Sequence, residues 1–402
     1  MHLSIAIVGA GPCGLYLAKN LRARLLPGAR VDIFERLSRP LGLLRFGVAP
    51  DSVSVRRTGE LLLKGTKERL FLNVCVGREL SLEELLRYYH VCILSCGAES
   101  SRPLSLQGDD LDGVFDSLDF VRSYNGHPDA PVGVKSFLDR LAHQAKRVRV
   151  CVIGNGNVSL DVARILLTPA KYLESTEIDK DFLSYLRNIN VAGVDIVGRR
   201  GLFQSSFTNA ELRRITESSH FIPLVQEESL RSSLLHQPEQ LDRSHKRKLS
   251  LFNRIASNID AAQSADKTLE FTFFKSVYSV EKGDGSAIGG VILQNNTLDR
   301  NLYAKATDNT VRIPSDMLIK CVGFQPNIVS AELLKHVDSK RIFSCGWVAT
   351  GGKGDLSNTL AATVQLSTLI SSMTFDFPVA KDIFELFVGD PRFKNVRVAN
   401  GG

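Results

Sequence analysis

Two distant stretches of the chain repeat one arrangement: a run of apolar residues, a glycine-rich turn and a helical run. In the first, Ser4-Ile5-Ala6-Ile7-Val8 leads into Gly9-Ala10-Gly11-Pro12-Cys13-Gly14 and then Leu15-Tyr16-Leu17-Ala18. In the second, residues 149–153 lead into Gly154-Asn155-Gly156-Asn157-Val158-Ser159 and then Leu160-Asp161-Val162-Ala163. An apolar run without alternation is what a strand covered on both faces needs, and such strands belong to parallel sheets flanked by helices. The repeat predicts an α/β chain with two Rossmann-like, three-layer domains that bind dinucleotides. At 402 residues the chain also exceeds what one compact core serves.

Each glycine of the first turn has a job. Gly9 permits the tight turn, Gly11 lets the backbone approach a pyrophosphate, and Gly14 lets the helix pack closely on the strand. Pro12 fits the first turn of that helix, where its missing N–H costs nothing. The next strand, 30–34, ends at Glu35, about 20 residues beyond the last glycine, where a carboxylate accepts hydrogen bonds from a ribose. This suits an unphosphorylated adenosine ribose, as in FAD or NAD.

The second turn differs at its far end. Ser159 replaces the third glycine, and the strand 191–197 runs into Gly198-Arg199-Arg200-Gly201 with no acidic residue after it. An arginine pair at that place suits a 2′-phosphate. One site for a plain ribose and one for a phosphorylated ribose make FAD plus NADPH the economical assignment.

The remaining composition narrows the class. Hydrophobic residues at 44% and charged residues at 23% place the chain among ordinary globular proteins. A formal charge of +7 mildly favours an acidic partner without selecting nucleic acid. The seven cysteines show no Cys-x-x-Cys spacing and no histidine cluster, which argues against a disulfide framework and a zinc site and fits a reducing compartment. The apolar run 3–18 has no basic residues ahead of it and contains Gly-x-Gly-Pro, so it reads as a buried strand entering a turn and not as a leader. No stretch approaches the roughly 20 apolar residues of a transmembrane helix, so a soluble protein is expected.

Several segments carry more than a glycine pattern: Arg45-Phe46-Gly47-Val48-Ala49-Pro50-Asp51, Leu94-Ser95-Cys96-Gly97-Ala98-Glu99, Gly156-Asn157-Val158 through Asp161-Val162-Ala163-Arg164-Ile165-Leu166-Leu167-Thr168-Pro169, Val197-Gly198-Arg199-Arg200-Gly201 and Cys345-Gly346-Trp347-Val348. On these the chain resembles the adrenodoxin reductase and ferredoxin-NADP reductase family, from Gly9 to beyond Trp347. The resemblance implies a glutathione-reductase-like fold in which an NADP domain, 107–320, is inserted into an FAD domain, 1–106 and 321–402. It implies FAD contacts at Cys13, Glu35, Leu43, Val76, Trp347, Gly354, Asp355 and Leu356. It implies NADP contacts at Asn155, Gly156, Asn157, Val158, Arg199, Arg200, Glu211 and Gly354. Glu211 and Trp347 are the residues it places nearest the chemistry.

The chain departs from that family in three places. Ser52 stands after Pro50-Asp51 where the family carries His, the run after Trp347 reads Ala349-Thr350-Gly351-Gly352-Lys353-Gly354-Asp355, and little follows Phe393. No presequence is visible. The resemblance implies the mitochondrial matrix, with the cytoplasm as the alternative, and a monomer is expected.

No cysteines have the Cys-x-x-Cys or Cys-x-x-x-x-Cys spacing of a pair that takes electrons from a flavin, and Cys92 and Cys96 read as core residues of an apolar strand, 91–96, so the electrons are expected to leave directly for an external acceptor. The resemblance implies a small acidic iron–sulfur ferredoxin of the adrenodoxin type. Two other readings stay open: an NADPH-dependent flavin monooxygenase or quinone reductase, and a flavin-binding redox sensor. Leu249, Phe252 and Ile255 recur at helical spacing, while Arg243, Lys246, Arg247 and Lys248 crowd the N-terminal side of that helix, where cations oppose its dipole. The resemblance implies that these four dock the ferredoxin.

Overall fold

The computed structural model describes residues 3–144, 146–283, 285–338, 340–375, 377–380 and 382–400. They fall into two compact units. The first comprises Met1–Val48, Ser52–Arg102 and Gly323–Gly402, and the second comprises Ala49–Asp51 and Pro103–Val322. The second unit is therefore inserted into the chain of the first, which gives an α/β fold of the nested kind.

The first unit is built on a six-stranded sheet whose spatial order is Ile342–Ser344, Val91–Leu94, Ser4–Val8, Arg30–Glu35, Arg69–Leu72, Arg397–Asn400. The first five strands run parallel and the last is antiparallel. The central strand is buried over its whole length because successive side chains enter different cores. Ile5 and Ile7 pack with Leu15, Leu17 and Ile370, whereas Ala6 and Val8 pack with Phe34, Phe71 and Tyr89. Helices Pro12–Arg22 and Leu356–Ser371 belong to the first of these layers, and Asn20 Nδ2 donates to Thr363 Oγ1 at 3.0 Å between them.

The second unit repeats the plan. Its parallel sheet has the order Val114–Asp116, Met317–Lys320, Arg147–Ile153, Asn190–Val197, Thr268–Thr272, Ile222–Val225. Val150 and Val152 face one core, and Cys151 and Ile153 face the other. A three-stranded antiparallel meander, Lys275–Lys282, Ile288–Leu298 and Ala304–Ile313, is added to this unit. Strand Val91–Leu94 ends two residues before Cys96, short of the apolar run 91–96 that the sequence suggests as a strand.

Candidate functional site

The first glycine turn begins at the carboxyl end of strand Ser4–Val8. Gly9 has φ 108°, and its N–H donates to the Phe34 carbonyl at 2.7 Å, so the chain leaves one strand tied to the next. A Cβ on Gly9 would meet the Ser95 carbonyl oxygen at 2.7 Å, and one on Gly14 would meet the Gly9 carbonyl oxygen at 1.9 Å. Gly11, the cap of helix Pro12–Arg22, has no atom within 4 Å of the place where a Cβ would stand. Packing demands two of these glycines, and the third faces open space at a helix N-terminus. That is the form of a phosphate cradle.

Glu35 ends the neighbouring strand and is buried. One carboxylate oxygen accepts the Ala10 N–H at 2.9 Å and the other accepts the Leu37 N–H at 3.0 Å. Burial pushes this carboxyl above its ordinary range, while the two N–H donors pull the other way. Leu41 takes φ 90°, which a branched residue adopts only under constraint, and its N–H donates to the Ala10 carbonyl at 2.8 Å. Leu43 begins the short helix that follows, and Val76 is buried in the same unit.

The C-terminal part of this unit brings Trp347. Its indole N–H donates to the Gly354 carbonyl at 3.0 Å, and its ring stacks on Phe324 with centroids 5.9 Å apart. Asp355 and Asn358 cap helix Leu356–Ser371 reciprocally, each side chain accepting the other's backbone N–H at 2.9 and 3.0 Å. Gly354, with φ 97°, lets the chain turn into that cap.

The second turn repeats the logic with different neighbours. A Cβ on Gly154 would lie 2.3 Å from the Cys321 carbonyl oxygen, whereas one on Gly156 would find only Ser206 Oγ at 3.4 Å. Ser159 is fully buried at the third position. The Asn155 carbonyl accepts the Ser206 N–H at 2.8 Å, and Asn157 Oδ1 accepts the Thr208 N–H at 2.8 Å. Thr208 in turn caps helix Asn209–Thr216 by accepting the Glu211 N–H at 3.3 Å. Through this chain of bonds the glycine turn fixes Glu211. Val158 sits in the first turn of helix Asn157–Leu167.

Arg199 is exposed and Arg200 half-buried after strand Asn190–Val197. Among the described residues neither makes an ion pair, although the Arg200 guanidinium reaches the Gln204 carbonyl at 3.5 Å. Two guanidiniums without carboxylate partners, following a glycine turn, fit a phosphate dianion.

Glu211 belongs to a charge cluster that its sequence neighbourhood does not reveal. Arg164, almost fully buried, contacts the carboxylates of Asp51 and Asp161 and lies 4.0 Å from Glu211. Arg214 reaches Glu211 at 3.0 Å and Asp51 at 3.1 Å. Three carboxylates and two guanidiniums share one pocket of charge in the second unit. Burial, with Glu211 adding to it, pushes the Asp161 carboxyl up to about 7. Burial and then the Arg214 charge bring Arg164 down to about 9. Ser52 is buried just ahead of helix Val53–Lys64.

The basic helix forms over Arg243–Ala256, with Asp242 accepting the His245 N–H at 2.7 Å to cap it. Arg243, Lys246 and Arg247 are exposed. Lys248 is not: its ammonium donates to the Ser205 carbonyl at 3.0 Å and lies 5.0 Å from the Phe207 ring centroid. Lys248 is a core residue of the second unit and offers no surface charge to a partner. The signal was available, since Lys248 stands four residues before Phe252 and seven before Ile255 and shares their buried face.

Two Rossmann-type sheets, each with a glycine turn at the carboxyl end of a central strand, define a pyridine-nucleotide oxidoreductase of the two-dinucleotide class. A family model described as an NAD(P)-binding Rossmann-like domain matches residues 7–70. NADPH:adrenodoxin oxidoreductase of Rattus norvegicus is 31% identical over 392 residues, covering 91% of this chain and 77% of that protein. The human protein is 32% identical over 382 residues, covering 89% and 76%, and that of Arabidopsis thaliana 32% over 393, covering 89% and 79%. All three are named as mitochondrial. The structure of Mycobacterium tuberculosis FprA in complex with NADPH superimposes with a TM-score of 0.79 at 27% identity, covering 92% of this chain and 84% of that one. The chain belongs to the NADPH:adrenodoxin oxidoreductase family and is an oxidoreductase. Among the described residues no helix is long and apolar enough to cross a membrane.

Proposed function

We propose that the chain is an FAD-dependent NADPH:ferredoxin reductase that takes a hydride from NADPH and delivers single electrons to a small acidic iron–sulfur protein. The observation that carries this reading is the pair of glycine turns with unlike far ends: Glu35, held by Ala10 and Leu37, at one, and Arg199 with Arg200 at the other. A carboxylate favours a ribose with free hydroxyls, whereas a guanidinium pair favours a phosphorylated one. Bound FAD supplies the conversion between two-electron and one-electron chemistry.

The chain's own residues do the rest. Gly11 and the first turn of helix Pro12–Arg22 receive the FAD pyrophosphate, and Glu35 orients the ribose. Trp347, locked by its bond to Gly354, and the capped helix beginning at Leu356 form the remaining wall on the C-terminal side. Asn155 to Val158 receive the NADPH pyrophosphate, and Arg199 and Arg200 hold its 2′-phosphate. Glu211 is kept in place by Arg214 and by the Thr208 cap, which fixes its carboxylate in the NADPH-binding unit.

The partner is a ferredoxin of adrenodoxin type, met by Arg243, Lys246 and Arg247, and the compartment is the mitochondrial matrix. NADPH-dependent cytochrome c reduction, measured with and without an adrenodoxin-type ferredoxin, tests the reading. Strong dependence on ferredoxin supports it. Rapid turnover with oxygen or quinone alone would make the chain a monooxygenase or quinone reductase, and slow turnover with every acceptor would make it a sensor.

A further inference from the structure

Cys13 and Cys345 come from opposite ends of the chain and meet inside the first unit. Cys13 lies in the first turn of helix Pro12–Arg22, and Cys345 follows strand Ile342–Ser344, where its N–H donates to the Leu94 carbonyl at 2.9 Å. Both are buried, with 6% and 4% of their surface exposed, and both are free thiols. Both belong to one buried cluster, with Leu15, Leu41 and Phe343. Gly346, with φ 75°, makes room for this, because a Cβ there would stand 2.8 Å from Cys13 Sγ and 3.0 Å from Cys13 Cβ. Spacing rules do not find such a pair, since its members are close only in the fold.

The other cysteines are placed differently. The Cys96 thiol turns to Ser330 Oγ at 3.4 Å, while Cys151 and Cys321 belong to the second unit. Within the pair the two sulfurs are unequal. The Cys13 thiol and the Gly346 N–H both favour a charged Cys345 sulfur and draw its pKa down, against the opposing effect of burial. The neighbouring Cys345 and burial keep the proton on Cys13. In the step proposed below Cys345 attacks and Cys13 resolves.

We infer that Cys13 and Cys345 form an oxidisable dithiol, which a hydroperoxide converts to a disulfide that ties the head of the first glycine-turn helix to the Trp347 loop. The Cys345 thiolate attacks one peroxide oxygen and the O–O bond breaks, leaving Cys345 sulfenic acid and releasing water or an alcohol after protonation. Cys13 sulfur then attacks the sulfenic sulfur, the S–S bond forms, and hydroxide leaves with the Cys13 proton as water. The thiols lose two electrons and the peroxide gains them. A dithiol reductant reverses the change. The inference rests on the two thiols and their surroundings, not on the identity of the cofactor or acceptor.

The bond would close a loop containing nearly the whole chain, a length at which a cross-link constrains the unfolded state strongly. The oxidised protein therefore unfolds at higher urea concentration than the reduced one. The test treats FAD-loaded protein with hydrogen peroxide, unfolds it, alkylates the remaining thiols and analyses the unreduced digest by mass spectrometry. A peptide joining Cys13 to Cys345, lost on dithiothreitol treatment, is expected, together with a raised urea midpoint and a changed emission of Trp347. The Cys345→Ser and Cys13→Ala variants lose all three responses, whereas Cys92→Ser keeps them. If a variant does not fold, the joined peptide and the urea midpoint of the natural chain decide. Consumption of peroxide without that peptide, or its appearance with no change in urea midpoint, overturns the proposal.

Discussion

The backbone of Gly14 passes so close to Gly9 that a Cβ on Gly14 would stand 1.9 Å from the Gly9 carbonyl oxygen, while a Cβ on Gly11 three residues earlier would touch nothing. The two glycines must therefore fail differently when replaced. Gly11→Val is expected to fold with an unchanged far-ultraviolet spectrum and to purify without flavin, because its side chain fills the cradle. Gly14→Val is expected to lose solubility or melt far lower. A yellow Gly11→Val protein with stoichiometric FAD would remove the first turn as the flavin site.

Arg199 and Arg200 make no ion pair among the described residues, so their replacement leaves no carboxylate orphaned. Each charge-assisted bond to a phosphate contributes about 1.5–3 kcal/mol, so the double alanine variant should lose roughly a hundredfold or more in kcat/KM with NADPH. Efficiency with NADH should change little. Equal losses with both nucleotides would assign the pair a structural role.

Exposure separates the basic residues of helix Arg243–Ala256 into two groups with separable effects. Reversing Arg243 and Arg247 to Glu is expected to slow ferredoxin-dependent cytochrome c reduction and flatten its salt dependence, leaving NADPH-ferricyanide activity intact. Lys248→Met should do the reverse. It abolishes the bond to the Ser205 carbonyl and lowers stability by about 1–3 kcal/mol without altering the salt profile.

Asp195 supplies a test of pH dependence. Burial holds its carboxyl up at about 6, although Arg149 binds both oxygens at 3.0 and 3.1 Å. The folded state thus holds the proton more tightly than the unfolded chain. Ionising Asp195 then costs stability, a cost that grows as pH rises from about 4 through 6 and is complete above. Asp195→Asn, which resembles the protonated form, should gain on the natural chain at about pH 8, by no more than about 3 kcal/mol, and gain nothing at about pH 4. Urea midpoints at the two pH values measure the difference, and a gain independent of pH would contradict the assignment.

What could be read from sequence was what is local in sequence. The glycine turns, Glu35 and the Arg199-Arg200 pair each lie within one strand–turn–helix unit, so their spacing carries their geometry. Asp51, Asp161, Arg164, Glu211 and Arg214 form a cluster from three separate segments, and nothing in any one of them points to the others. The Cys13 and Cys345 contact is hidden for the same reason. Lys248 is a different case: the helical period that places Phe252 and Ile255 inside also places Lys248 there, although its charge alone points to the surface.

The nesting of one unit within the other also sets the order of events during synthesis. Strands Ser4–Val8, Arg30–Glu35, Arg69–Leu72 and Val91–Leu94 leave the ribosome before the inserted stretch, yet their sheet lacks Ile342–Ser344 and Arg397–Asn400 until that stretch has been made. At about 5–20 residues per second, the stretch from Pro103 to Val322 takes on the order of ten to forty seconds to make. During that interval the N-terminal half-sheet presents unpaired edges at Val91–Leu94 and Arg69–Leu72, while the inserted unit is free to mature. The sheet that carries the first glycine turn is therefore completed only after the inserted unit has been made.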